Sequence, residues 1–178
     1  MRDAYDFIEF RQKVETLLLN WTTIPPTREA YLDAAKDLTA WRTRRNHVGL
    51  WVIPPLMVTS TIDDGWGHGL EIIEKLAQSA GVHIHPLGLM QPSHVILEAC
   101  WRIRPHFLGL TVLQFDSDDQ LTEILHGLPA STRLIAGGAA FQYDTGFAER
   151  TGTHVAIQNG TAFLRFLLDG SVKIPYPE

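Results

Sequence analysis

Apolar side chains recur along the chain with two different periods, and the change of period divides it. From Tyr5 to Asn20 the apolar positions Phe7, Phe10, Val14, Leu17 and Leu18 fall at helical spacing, and the stretch stops before Trp21-Thr22-Thr23-Ile24-Pro25-Pro26. The spacing predicts a first helix. Thr27 then reads as a cap with Ala30 to Trp41 behind it, a second helix of mixed polarity that runs into the basic cluster Arg42, Arg44 and Arg45. Two helices of this size cannot enclose a core, so they are expected to lie on a larger domain or on a partner.

After Pro54-Pro55 the pattern changes to short apolar runs that alternate with amphipathic stretches. We read strands over Leu56–Thr61, Val82–Leu87, Phe107–Leu113, Thr132–Ala136 and Thr153–Ala156. Between and after them we read helices over Gly69–Ala80, Pro92–Arg102, Asp118–Leu128, Asp144–Arg150 and Gly160–Asp169. This alternation predicts an α/β fold, flavodoxin-like (Rossmann-like), with a five-stranded parallel sheet in the order 2-1-3-4-5. The expected division is an N-terminal helical segment over 1–50 and an α/β domain over 51–178. The tail Ile174-Pro175-Tyr176-Pro177-Glu178 reads as a loose terminus.

Composition narrows the classes of function. The 178 residues, 45% of them hydrophobic, fit one main domain with a full core. Fifteen basic against 20 acidic residues give a net charge of -5, which argues against a nucleic-acid groove or an anionic membrane surface as the main partner. No apolar run approaches membrane-spanning length, and the start lacks a signal core, so a soluble, cytoplasmic protein is expected. The single cysteine, Cys100, leaves no intramolecular disulfide or thiolate zinc site and reads as buried filling.

In the order 2-1-3-4-5 the ligand crevice forms where the loops after strands one, three and four meet. Those loops read Asp63-Asp64-Gly65-Trp66-Gly67-His68-Gly69, then Thr111-Val112-Leu113-Gln114-Phe115, then Gly137-Gly138-Ala139-Ala140-Phe141. Glycines let a ligand lie against bare backbone, and the Thr111 hydroxyl can hydrogen-bond a buried group, so a long ligand inserted edgewise is expected. Simpler readings stand beside this one. Asp63 and Asp64 can serve as helix caps, and Phe115, Phe141 and Tyr143 can be core or cavity lining. His83 and His85 share a strand face without a third metal ligand nearby. A phosphorelay receiver needs an aspartate where this chain has Thr111. In a dinucleotide fingerprint, the Gly65-x-Gly67-x-Gly69 spacing is short by one, and no acidic residue follows strand two.

Together the three loops resemble the cobalamin-binding domain family, whose pattern is Asp-x-His-x-x-Gly, then Ser-x-Leu, then Gly-Gly. Asp64 and Gly69 match the first motif, Thr111-Val112-Leu113 the second and Gly137-Gly138 the third. The likeness runs from about Leu56 to Asp169. Trp66 stands where the family carries the histidine that ligates cobalt, and indole has no lone pair to offer a metal. The resemblance implies a bound corrinoid (cobalamin) with no protein ligand on cobalt. Its implied site comprises Asp64, Gly65, Trp66, Gly67, His68, Gly69, Thr111, Leu113, Gln114, Gly137, Gly138 and Phe141, with Trp66 as an apolar platform. It further implies a carrier module for methyl transfer with a methyltransferase as partner. The alternatives are a haem or corrinoid sensor or interaction module that reports through the amino-terminal helices, with a regulator as partner, and a domain that no longer binds cofactor.

Overall fold

The computed structural model describes residues 2–153 and 155–171. The expectation for the tail from Ile174 to Glu178 lies outside the described residues. The helices are α1 (Arg2–Thr23), α2 (Arg28–Arg45), α3 (His68–Ala80), α4 (Ser93–Ile103), α5 (Asp118–Gly127), α6 (Ala139–Tyr143), α7 (Phe147–Thr151) and α8 (Gly160–Gly170). The strands are β1 (Leu56–Thr61), β2 (His83–Gly88), β3 (Phe107–Thr111), β4 (Arg133–Gly137) and β5 (Ala156–Ile157). They form one five-stranded parallel sheet in the order β2-β1-β3-β4-β5, as the alternating pattern predicts.

Most boundaries fall within a residue or two of the sequence reading, but α1 runs three residues further at each end and β5 begins at Ala156 instead of Thr153. The expected helix Asp144–Arg150 is found only as α7, which starts at Phe147, and α6, which ends just before Asp144, is a helix the sequence reading lacks. The Asp144 carboxylate accepts hydrogen bonds from Gly146 N at 2.9 Å and from the Arg150 guanidinium at 2.8 Å, so its side chain competes with continued helix.

The chain divides into two compact units. One comprises the described parts of Met1–Pro55, Ile72–His83 and Gly160–Glu178. In it α1 packs on α2 and α8, with Phe10, Val14 and Leu18 buried and the Phe10 ring 5.3 Å from that of Trp41 in α2. Thr27 caps α2 by accepting from Ala30 N at 3.2 Å. The basic cluster at the end of α2 does more than meet solvent. Arg42 donates to the carbonyls of Gln78 and His47 at 2.6 and 3.2 Å, and Arg45 pairs with Glu9 and lies over the Trp41 ring.

The other unit comprises Leu56–Glu71 and Ile84–Asn159. Its core gathers Val58, Ile96, Cys100, Leu108, Leu121, Ile124, Leu134, Phe141 and Phe147 between strands and helices. Cys100 is filling, as the sequence suggests, and burial pushes its thiol up to about 11. His83 and His85 are exposed on the edge strand β2, and no group of three metal-ligating side chains occurs among the described residues. No helix among the described residues is long and apolar enough to cross a membrane.

Candidate functional site

Because the strands are parallel, the loops that follow β1, β2, β3 and β4 all open at one edge of the sheet. Thr61, Thr111 and Gly137 lie side by side in the register of β1, β3 and β4, and mark the last paired row before that edge. The order reverses between β1 and β3, which puts the crevice beside the Asp63–Gly69 loop.

Thr61 organises the first loop. Its hydroxyl donates to Asp64 O at 2.6 Å and accepts from Met90 N at 2.9 Å, which ties the loops after β1 and β2 together. The buried Asp64 carboxylate accepts from Trp66 N at 2.7 Å and Gly67 N at 3.1 Å, closing a tight turn in which Gly67 is left-handed at φ +70°. Asp63 faces the other way. Its carboxylate accepts from Leu113 N at 2.9 Å, Gln114 N at 2.8 Å and Ser117 Oγ at 2.7 Å. Neither aspartate caps α3 in the way the sequence allows, because each is already occupied by nearer loop donors.

The tight turn projects Trp66 into solvent, 81% exposed, with the His68 ring stacked at 6.3 Å between centroids. On the segments after β2, β3 and β4, Met90 is 61%, Phe115 52% and Tyr143 72% exposed. Each of the four segments that follow β1, β2, β3 and β4 therefore exposes a large apolar side chain. A Cβ added at Gly65 would lie 3.3 Å from Met90 Sδ, which puts Met90 beside the first loop. Gly69, in the first turn of α3, would place a Cβ 3.5 Å from Thr111 Cγ2. Thr111 itself is buried, Leu113 is half-buried and Gln114 is exposed.

Two sequence expectations need correcting. Phe141 does not line the edge; it is buried against Phe147 at 5.0 Å, edge to face, because α6 turns that side chain inward. The glycine pair does not leave bare backbone for a ligand along its Cβ directions. A Cβ on Gly137 would lie 2.6 Å from Ile157 O, and one on Gly138 2.3 Å from Val112 O, so the chain's own strands need that space. Sequence reasoning gave Asp63 only a capping role and passed over Met90 and Ser117. A usable signal existed for Met90, which follows Gly88 by two residues and so belongs to a loop at the same edge.

No protein-family profile matches the sequence. No curated protein matches it either. Solved structures do resemble it. A cobalamin-binding protein from Desulfitobacterium hafniense DCB-2 aligns with a TM-score of 0.75 at 17% identity, over 90% of this chain and 78% of that one. The monomethylamine corrinoid protein of Methanosarcina barkeri gives 0.56 at 16%, over 78% and 68%. The methanol:cobalamin methyltransferase complex of the same organism gives 0.58 at 16%, over 80% and 55%. This chain thus has the fold on which those proteins are built.

Proposed function

We propose that the carboxyl edge of the sheet binds a corrinoid and that the chain is a corrinoid carrier for methyl transfer. The observation that carries this reading is that the segments after β1, β2, β3 and β4 each expose a large apolar side chain, Trp66, Met90, Phe115 and Tyr143. A corrin offers a broad and largely apolar face, and the apolar side chains exposed after four strands of a fold shared with cobalamin-binding structures would meet such a face. The group fits the donor set in a particular way. Trp66 cannot ligate cobalt, so the macrocycle would rest on the indole, with Met90, Phe115 and Tyr143 at its margin. Asp64, Gly65, Gly67, His68 and Gly69 shape that platform, Leu113 and Gln114 would flank it, and the buried Thr111 with Gly137 and Gly138 would support it from the end of the sheet.

When bound, a corrinoid supplies a cobalt centre that takes up and gives away a methyl group. The chain's own part is to hold the ring, cover its lower side with indole and exclude water there. With an indole at position 66 the site would also lack the carboxylate–imidazole relay that tunes a metal from the second shell. The resemblance to a methanol:cobalamin methyltransferase complex makes a methyltransferase the natural partner class.

Incubation with hydroxocobalamin, removal of the free ligand and a visible spectrum test the reading. The wild type should retain colour without the signature of an imidazole-ligated cobalt, and Trp66→His should shift the spectrum toward that signature. Trp66→Ala should weaken binding about tenfold, in line with roughly 1–1.5 kcal/mol for an aromatic contact. A colourless wild type sinks the proposal, and retention of haemin alone replaces it with the sensor reading. A change of the wild-type spectrum in His68→Ala would show that His68, not Trp66, occupies the ligand position.

A further inference from the structure

The two adjacent aspartates of the first loop divide their work. Asp64 turns inward and fixes the turn that carries Trp66. Asp63 reaches the loop after β3, 50 residues away in sequence, and gathers the donors found there. Both its oxygens face Leu113 N, at 2.9 and 3.1 Å, while one also accepts from Gln114 N and Ser117 Oγ. The Gln114 side chain adds a longer contact back to Asp63 O at 3.4 Å.

These donors have a reason to need it. β3 ends at Thr111, and Val112 N still pairs with Gly137 O at 2.8 Å, but the next two amides turn away from the ladder. A carboxylate offers lone pairs enough for all three donors, whereas a carboxamide would turn an N–H toward other N–H groups. The bridge crosses the point where the strand order reverses, between β1 and β3, which is where the crevice opens.

We propose that Asp63 is the positioning residue of this crevice: it locks the loop after β3 to the loop after β1, so that Leu113 and Gln114 on one wall and Trp66 on the other are in place before ligand arrives. Preorganisation of this kind spares the ligand the cost of ordering both loops, and so appears in affinity. The ligand's identity rests on the corrinoid reading; the lock itself does not.

The test combines hydroxocobalamin titration with site-resolved amide exchange on the full chain, for Asp63→Asn and Ser117→Ala. Asp63→Asn should weaken binding about tenfold or more, as expected for losing charge-assisted hydrogen bonds. It should also speed exchange at Leu113 and Gln114 about tenfold while the amides of Leu134, Ile135 and Ala136 keep their protection. Ser117→Ala removes one arm of the lock and should give a smaller change of the same sign, which keeps the test valid if Asp63→Asn fails to fold. Wild-type affinity in a folded Asp63→Asn, or exchange that rises evenly through the sheet, overturns the proposal. If the wild type itself retains no corrinoid, the corrinoid reading falls, and the lock stands or falls on whether the loss of protection is confined to Leu113 and Gln114.

Discussion

Phe141 and Tyr143 stand two residues apart on the same short helix and meet opposite environments, the first buried on Phe147 and the second 72% exposed. Truncating Phe141 empties a core position, so Phe141→Ala should lower unfolding free energy by about 3–5 kcal/mol in urea titrations. Tyr143→Ala should leave stability within about 0.5 kcal/mol. A reversal of that order would mean the α6 helix is turned the other way. The pair also marks what a sequence can and cannot reveal at this scale. Both are aromatic residues just past an apolar strand, and a five-residue helix is too short for periodicity to say which one faces inward. Gly138 teaches the same lesson, since a glycine needed at φ +117° for the approach of Val112 O looks identical in sequence to one that makes room for a ligand.

At the scale of elements, the strands and long helices were legible because short apolar runs end at Gly, Pro or Asp and the helices carry a continuous amphipathic face. β1 runs Leu56–Thr61 as its apolar run predicts. The loops were legible only as places: their lengths located the crevice, but which loop carboxylate bonds which amide depends on contacts made between residues distant in sequence. The break between α6 and α7 is such a case. Its Asp144 has a carboxyl held below the ordinary value, chiefly by the hydrogen bond from Arg150 and secondarily by Gly146 N. Arg150 also approaches Asp118 at 3.7 Å, joining α7 to the start of α5. A carboxyl depressed in the folded state contributes stability that is present above its unfolded value, near 4, and is lost as pH falls through the folded one. Amide protection in α7 should therefore decline as pH drops below about 4, ahead of protection in β3, and Asp144→Asn should remove that dependence. Equal decline in the variant would assign the effect to other carboxylates. The pair is exposed, so the change in overall stability should be small.

For the whole molecule, the single thiol offers a readout that joins fold to function. Cys100 is fully buried on the inner face of α4, and burial raises its thiol to about 11. Alkylation needs a thiolate and a path to it, and the native chain at pH 8 provides neither. Reaction with iodoacetamide must then pass through an opening that exposes the core. If that opening is global, the native rate should fall below the rate in strong urea by a factor of about 10³ or more, as marginal stabilities of about 5 kcal/mol and upward require. A ligand that binds only the folded chain suppresses the open state in proportion to its saturation. Cyanocobalamin at about 100 times its dissociation constant should therefore slow alkylation roughly a further hundredfold, equivalent to about 2.7 kcal/mol. Slow alkylation that ignores cyanocobalamin would keep the fold and count against the corrinoid site. Fast alkylation of the native chain would place Cys100 in a locally opening segment instead, and would mean that α4 separates from the sheet without global unfolding.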